Sequence, residues 1–334
     1  MELNNNLSAK EKVSNIMRNN SVMIAIILIA ICVIASIFSP YFLDFFNLQS
    51  LMRDVAFIGM VAVGQSLLLL LGELDLSVGS VASLCGILGG LMMTAAGIPA
   101  PLAFILALLI GLGLGALNGV IITALKLNAM VTTIGMQGVY TGITLVITKG
   151  KAITNIPESI LFLGKDNIGI FPIPFVISIA VVIIAYIFVT KTRSGRYLYA
   201  IGNSRPAAEI LGIKVNFIRV IAFGICGFLS ALAGMLYVAR LGSAQASIGT
   251  SWPMNSIASG VIGGVLLTGG VGTPVGAYIG AAVISVISNV IVLFGVDIYW
   301  QQAVSGIVVV IAIALPSVLN ILREKKRLKN LAHD

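Results

Sequence analysis

Residues 101–123 read PLAFILALLIGLGLGALNGVIIT, without a single charge. As a helix rising about 1.5 Å per residue, this run is long enough to cross the roughly 30 Å of hydrocarbon in a bilayer. Comparable runs lie on both sides of it, at about 22–39, 55–71, 77–96, 129–147, 174–190, 216–240, 255–270, 274–294 and 301–320. Each is continuous rather than alternating, which predicts helices and excludes a β-barrel. The first run is long for a leader and lacks a small-x-small cleavage site before Pro40, so it reads as a retained helix. The expected fold is an all-α integral membrane protein, a polytopic bundle of about ten transmembrane helices.

Composition agrees. Of 334 residues, 58% are hydrophobic and 10% charged, with a mean hydropathy of +1.08, whereas soluble chains carry about 25% charged residues. Thirty-six glycines suit helices whose backbones approach closely. Gly111, Gly115 and Gly119 share one helix face, and Gly260 with Gly264 and Gly276 with Gly280 repeat the spacing. The pattern serves either a pathway or ordinary helix packing.

Lysine and arginine set the orientation. With the N-terminus in the cytoplasm and alternating spans, fifteen of the twenty basic residues fall inside and five outside (Arg53, Lys149, Lys151, Lys165 and Arg240). Both termini are then cytoplasmic. The net charge of +8 reflects this topology and not a nucleic-acid partner. The chain divides into a cytoplasmic segment 1–20, a membrane domain 21–322 with a cytoplasmic loop 191–215, and a basic tail 323–334. That tail either meets anionic membrane lipid or acts as a plain topology signal.

Several chemistries are excluded. No G-x-x-x-x-G-K-[ST] sequence is present to cradle ATP phosphates. His333 is the sole histidine, and Cys32, Cys85 and Cys226 sit apart in apolar runs. Neither a metal site, a cofactor nor a histidine-based catalytic group is expected. If ATP drives this chain, another subunit binds it.

Two polar stretches stand out. Gly72-Glu73-Leu74-Asp75-Leu76-Ser77-Val78-Gly79-Ser80 places two acids beside a span. A carboxylate at mid-helix costs roughly 2.5–3.5 kcal/mol, so Glu73, Asp75 and Ser77 belong at a helix boundary, as a cap or as a gate. In the loop 191–215, Ser204 suits an N-cap, Pro206 a first turn and Gly212 a C-cap. The short helix so predicted, about 205–211, either docks into a partner's groove or simply joins two spans.

Ala207-Ala208-x-x-x-Gly212 resembles part of the loop by which bacterial ABC-importer permeases engage their ATPase, with Pro206 where that loop has glutamate. The stretch Gly72 to Ser80 is similar to a signature of permeases of the ribose/galactose/xylose type. So are Arg240-Leu241-Gly242-Ser243-Ala244-Gln245, Gly263-Gly264 with Gly269-Gly270, and Trp300-Gln301-Gln302. The resemblance covers about residues 40–315. Glu73 stands where the family usually has glycine, and Trp252-Pro253-Met254-Asn255 where it more often has an acidic, aromatic stretch.

The resemblance implies a translocating subunit of the bacterial plasma (inner) membrane that does no covalent chemistry. It implies a second copy of the chain, a cytoplasmic ABC-type ATPase and an external solute-binding protein, importing a monosaccharide or sugar-like solute. The coupling residues would be Arg196, Asn203, Pro206, Ala207, Ala208, Glu209 and Gly212. Candidates for the solute pathway are Gln65, Asn118, Gln137, Gln245, Trp252, Asn255, Asn289 and Gln301; each could equally serve as an interhelical hydrogen bond, an interfacial anchor or a cap. The alternative is a secondary transporter or channel without an ATPase, which predicts a buried carboxylate or a discontinuous helix.

Overall fold

Chain entry into the bundle is set by caps. Asp44 Oδ1 accepts from the backbone N–H of Phe46 at 2.9 Å and of Asn47 at 3.4 Å, which starts a helix ten residues before the expected span at 55. Hydropathy misplaces that start because Arg53 and Asp54 lie inside the helix. Both are compensated: Arg53 Nη2 donates to Lys165 O at 2.8 Å and Asn167 Oδ1 at 2.9 Å, and Asp54 pairs with Arg240.

The structure is a computed structural model and describes residues 20–295 together with 300, 303, 306, 307 and 310. Its elements are α1 (Asn20–Phe38), α2 (Phe45–Leu70), α3 (Val78–Thr94), α4 (Ala100–Ala124), α5 (Ala129–Thr148) and α6 (Glu158–Lys165). A two-stranded antiparallel hairpin follows, β1 (Asn167–Ile168) and β2 (Phe171–Pro172). Then come α7 (Ile173–Lys191), α8 (Arg193–Asn203), α9 (Arg205–Ile210), α10 (Val215–Leu241), α11 (Trp252–Ile262) and α12 (Pro274–Leu293).

Six of these helices, α2, α4, α5, α7, α10 and α12, are long and apolar enough to cross a membrane, while α3 and the Val22–Phe38 stretch of α1 are shorter apolar helices. The expected count of ten is therefore not reached among the described residues. The span expected at 301–320, and both termini, lie largely or wholly outside those residues. The span expected at 255–270 is broken. α11 ends at Ile262, and residues 263–273 form a loop in which Gly264, Gly269, Gly270 and Gly272 take positive φ. Glycine adopts that backbone without a Cβ clash, so the loop departs from helix where the composition is still apolar. Gly260 and Gly264 consequently do not share a helix face.

α2 and α10 form the centre. α10 packs along α4, α2 and α3, and α12 packs on α2, α11 and α1. The glycine ladder of α4 makes the closest seam: Gly111 meets Ala231 and Gly227, Gly115 meets Phe223 O, and a Cβ on Gly119 would stand 2.8 Å from Val220 Cα. Outward, Leu102, Ile105, Leu109, Leu117 and Val120 of the same helix are exposed, as a lipid-facing side requires. The stretch 148–173, between two of the expected spans, holds α6 and the hairpin.

Gly115→Leu should destabilise the α4–α10 seam by about 1–3 kcal/mol or more, the usual range for overpacking, and lower the melting temperature of the detergent-solubilised protein. Gly113→Leu, on the exposed side with no atom within 4 Å of its Cβ position, should leave that temperature unchanged.

Candidate functional site

At the end of the bundle formed by the start of α2 and the end of α12, the helices part around an open cavity of about 700 Å³. Asn47, Ser50, Asp54 and Phe57 of α2 line it; their spacing by three and four puts them on one helix face. Ser285, Ser288, Asn289 and Val292 supply the facing wall from α12, Tyr237 comes from α10, and Thr250, Ser251, Trp252 and Asn255 come from the start of α11 and the loop before it. Asn47 and Asn289 exchange two amide hydrogen bonds, at 3.1 and 2.7 Å.

The rings are ordered. Phe57 and Tyr237 meet edge-to-face with centroids 5.0 Å apart, and Tyr237 meets Trp252 the same way at 5.9 Å, the arrangement that aromatic quadrupoles favour. The Arg240 guanidinium lies 5.7 Å from the Phe57 centroid. Its Nη1 donates to Asp54 Oδ1 at 2.6 Å and its Nη2 to Ser50 Oγ at 3.1 Å. Of the expected pathway residues, the structure thus brings Trp252, Asn255 and Asn289 together. Ser50, Asp54, Phe57, Tyr237 and Arg240 were missed. The available signal was Asn47, Ser50 and Asp54 at helical spacing ahead of an apolar run.

The other expected pathway residues lie elsewhere. Gln65 is fully buried, its amide oriented to pair with the Asp75 backbone: nitrogen donates to Asp75 O at 3.2 Å and oxygen accepts from Asp75 N at 3.1 Å. Asn118 is also fully buried and donates to Ser77 Oγ at 2.8 Å and Asp75 Oδ2 at 3.5 Å, while accepting from Tyr140 Oη at 2.8 Å. Gln137 is half-buried on α5, and Gln245 donates only locally, to Ser243 Oγ at 3.1 Å. Gln301 falls outside the described residues.

The link 71–77 lies between α2 and α3, at the helix boundary where its acids were expected. Asp75 is 1% exposed, so a buried carboxylate does exist. It sits between two helices and not inside one, and it accepts from Ser77 N at 2.7 Å and Ser77 Oγ at 2.6 Å. Ser77 occupies the N-cap position of α3 but makes no side-chain cap bond, because its hydroxyl is committed to Asp75 and Asn118. Glu73 is no cap either. It forms an ion pair with Arg219 of α10, their side chains 14% and 10% exposed, so a residue counted only for its charge in setting the orientation is one half of a buried pair.

Residues 191–215 fold as two helices where one was expected. Thr192 caps α8 and Ser204 caps α9, as expected for the latter. Gly212, at φ +76° just past α9, ends it. Arg196, Asn203, Pro206, Ala207, Glu209 and Gly212 are exposed, whereas Ala208 is buried. Arg205 reaches Glu209 at 3.2 Å and Asn216 at 3.3 Å. On its other side α8 meets the bundle. Gly202 abuts Leu70 O and Gly270 N, Gly270 N donates to Leu70 O at 2.9 Å, and Asn203 Nδ2 donates to Tyr199 O at 2.8 Å. Tyr199 Oη donates to Gly272 O at 2.9 Å. Burial, with Tyr186 adding to it, raises the Tyr199 phenol above its ordinary value, so it stays a donor. No group of metal-binding side chains occurs among the described residues.

Residues 47–313 match the family described as branched-chain amino acid transport system / permease component. The chain is 38% identical over 290 residues to the ribose import permease protein of Bacillus subtilis strain 168, covering 86% of this chain and 90% of that one. It is 35% identical over 302 residues to the ribose import permease protein of Escherichia coli K12, covering 89% and 93%. To the autoinducer 2 import system permease protein of Photorhabdus luminescens it is 34% identical over 285 residues, covering 84% and 86%. No solved structure matches the chain.

Arg219→Ala would leave Glu73 buried and unpaired, a loss worth about 3–5 kcal/mol for such pairs, and should lower the melting temperature by several degrees. Removing both charges, in Glu73→Gln/Arg219→Ala, should recover most of that loss.

Proposed function

We propose a function for a chain that belongs to the permease components of ABC importers, in the ribose/galactose/xylose family: it conducts a monosaccharide or sugar-like solute across the bacterial plasma membrane, driven by a separate ATPase. The multi-pass membrane character follows from the family and from six apolar helices. The observation that carries the solute class is the cavity. It offers neutral amides and hydroxyls, the groups that hydrogen-bond a sugar's hydroxyls, beside the half-buried ring of Tyr237, an apolar flank.

Energy enters at the opposite end. Ile210 and Leu211 are 86% and 77% exposed at the tip of α9, while the buried Ala208 and the Arg205–Asn216 bond tie that helix to the bundle. An exposed apolar tip between Glu209 and Gly212 suits a groove on an ATPase. The coupling role of Arg196, Asn203, Pro206, Ala207, Ala208, Glu209 and Gly212 is part of this reading. So are the assembly as two copies, the external solute-binding protein, both termini in the cytoplasm, the lipid-facing tail and the division at residues 20 and 322. Closure of the ATPase would move α9, and α8 would pass the displacement through Gly202 to the 263–273 loop.

Affinity purification of the tagged chain in mild detergent should recover a P-loop ATPase in stoichiometric amount. Ile210→Asp/Leu211→Asp, which changes only exposed side chains, should reduce that recovery and abolish uptake while the chain remains in the membrane. Gly212→Arg, strained at positive φ, should act in the same direction. Recovery of the chain alone after cross-linking in intact membranes would instead favour a self-sufficient transporter.

A further inference from the structure

Asp54 is the one charged side chain lining the cavity among the described residues. An isolated carboxylate in a wall built from apolar helices would be costly. Arg240, from the last turn of α10, compensates it from behind without itself lining the cavity. The guanidinium takes only one carboxylate oxygen: Nη1 donates to Oδ1 at 2.6 Å, while Nη2 turns to Ser50 Oγ at 3.1 Å. Among the described residues nothing donates to Asp54 Oδ2, and the Asp54 side chain remains 42% exposed. The same guanidinium stacks over Phe57, whose ring begins the edge-to-face series through Tyr237 to Trp252.

We infer that Asp54 is a specificity-determining residue of the cavity, accepting a hydrogen bond from a solute hydroxyl at Oδ2, and that Arg240 is the positioning residue that holds this carboxylate in place through Oδ1. The inference rests on the cavity being the solute's site. An ionised acceptor makes a stronger hydrogen bond than an amide or hydroxyl. Because Arg240 balances its charge, the wall presents that acceptor without favouring a cationic solute. A deoxy analogue would leave the carboxylate oxygen desolvated and unpaired, which a site built to bind hydroxyls rejects strongly.

The test uses cells whose sole uptake route is this chain with the ATPase and binding protein encoded to work with it. The probes are radiolabelled D-ribose, D-xylose, D-galactose and myo-inositol, followed by monodeoxy forms of whichever the wild type imports. Asp54→Asn should lower kcat/KM for that sugar at least tenfold, mainly through KM. It should also shrink the preference over one particular monodeoxy analogue by a similar factor. Arg240→Lys, which keeps the charge but loses the forked contact, should raise KM less and leave the preference in place. Immunoblots of the membrane fraction verify insertion. Three results overturn the inference while leaving the transport function standing: wild-type uptake in Asp54→Asn, an unchanged preference for every deoxy analogue, or recovery of uptake in Asp54→Asn/Arg240→Gln. Recovery in the double variant would mean that the two charges serve only to neutralise each other. Import of none of the four probes by the wild type would remove the sugar reading itself, and this inference with it.

Discussion

A charge inside hydrocarbon must be met by another charge or by several hydrogen bonds, and the bundle is arranged around that constraint. Among the described residues, three acids lie within its walls, and each is answered differently. Glu73 pairs through Oε1 with Arg219 between α10 and the α2–α3 link, out of solvent, its Oε2 buried without a partner among the described residues. Asp75 is held by Ser77 and Asn118, with Gln65 gripping its backbone and Tyr140 completing Asn118. Asp54 is answered on one oxygen only and faces an open space. The first two arrangements join α2, α3, α4, α5 and α10 into a unit that resists relative sliding. The third leaves capacity for something arriving from solution.

Small residues supply the complementary property, contact without side-chain padding. Where Gly202 sits against Leu70 and Gly270, backbone touches backbone, so a movement of α8 has no flexible side chain in which to dissipate. The loop 263–273 is hinged on four glycines and leads directly into α12, whose far end carries Asn289 of the cavity. On the proposed function, this is a short mechanical route between a cytoplasmic docking helix and an external site. The route consists of α8, the loop and α12, and a two-state shift of α12 against α2 would break or remake the Asn47–Asn289 pair.

Much of this was legible before any coordinates. Uncharged runs such as 101–123 fix helices because bilayer thickness sets a minimum length, and the α4 glycine spacing announced its close seam. The Ser204 cap and the Gly212 terminator were readable because each uses a local rule. What could not be read depended on distant partners. Arg53 and Asp54 broke the hydropathy of α2 and hid its first ten residues, although Lys165, Asn167 and Arg240 compensate them from more than a hundred positions away. Arg219 counted only as a topology charge for the same reason, its partner Glu73 lying 146 positions away. The break after Ile262 escaped notice because Val265, Leu266 and Leu267 keep the stretch apolar while the glycines around them abandon the helix.

The same logic explains why the cavity was only partly anticipated. Trp252, Asn255 and Asn289 advertise themselves as polar or aromatic groups in apolar surroundings. Asp54 and Arg240 look like topology signals, since a charge near a span's end is ordinarily a snorkelling anchor. Their meaning changes only when α10 is seen to end beside the first turns of α2, which turns two boundary charges into one compensated pair. In a membrane protein, an acid and a base near the ends of different spans are therefore better read jointly than singly. If the spans are neighbours, the pair can carry polarity into the bundle with little net charge, and a neutral, hydroxyl-rich solute needs a wall with that property.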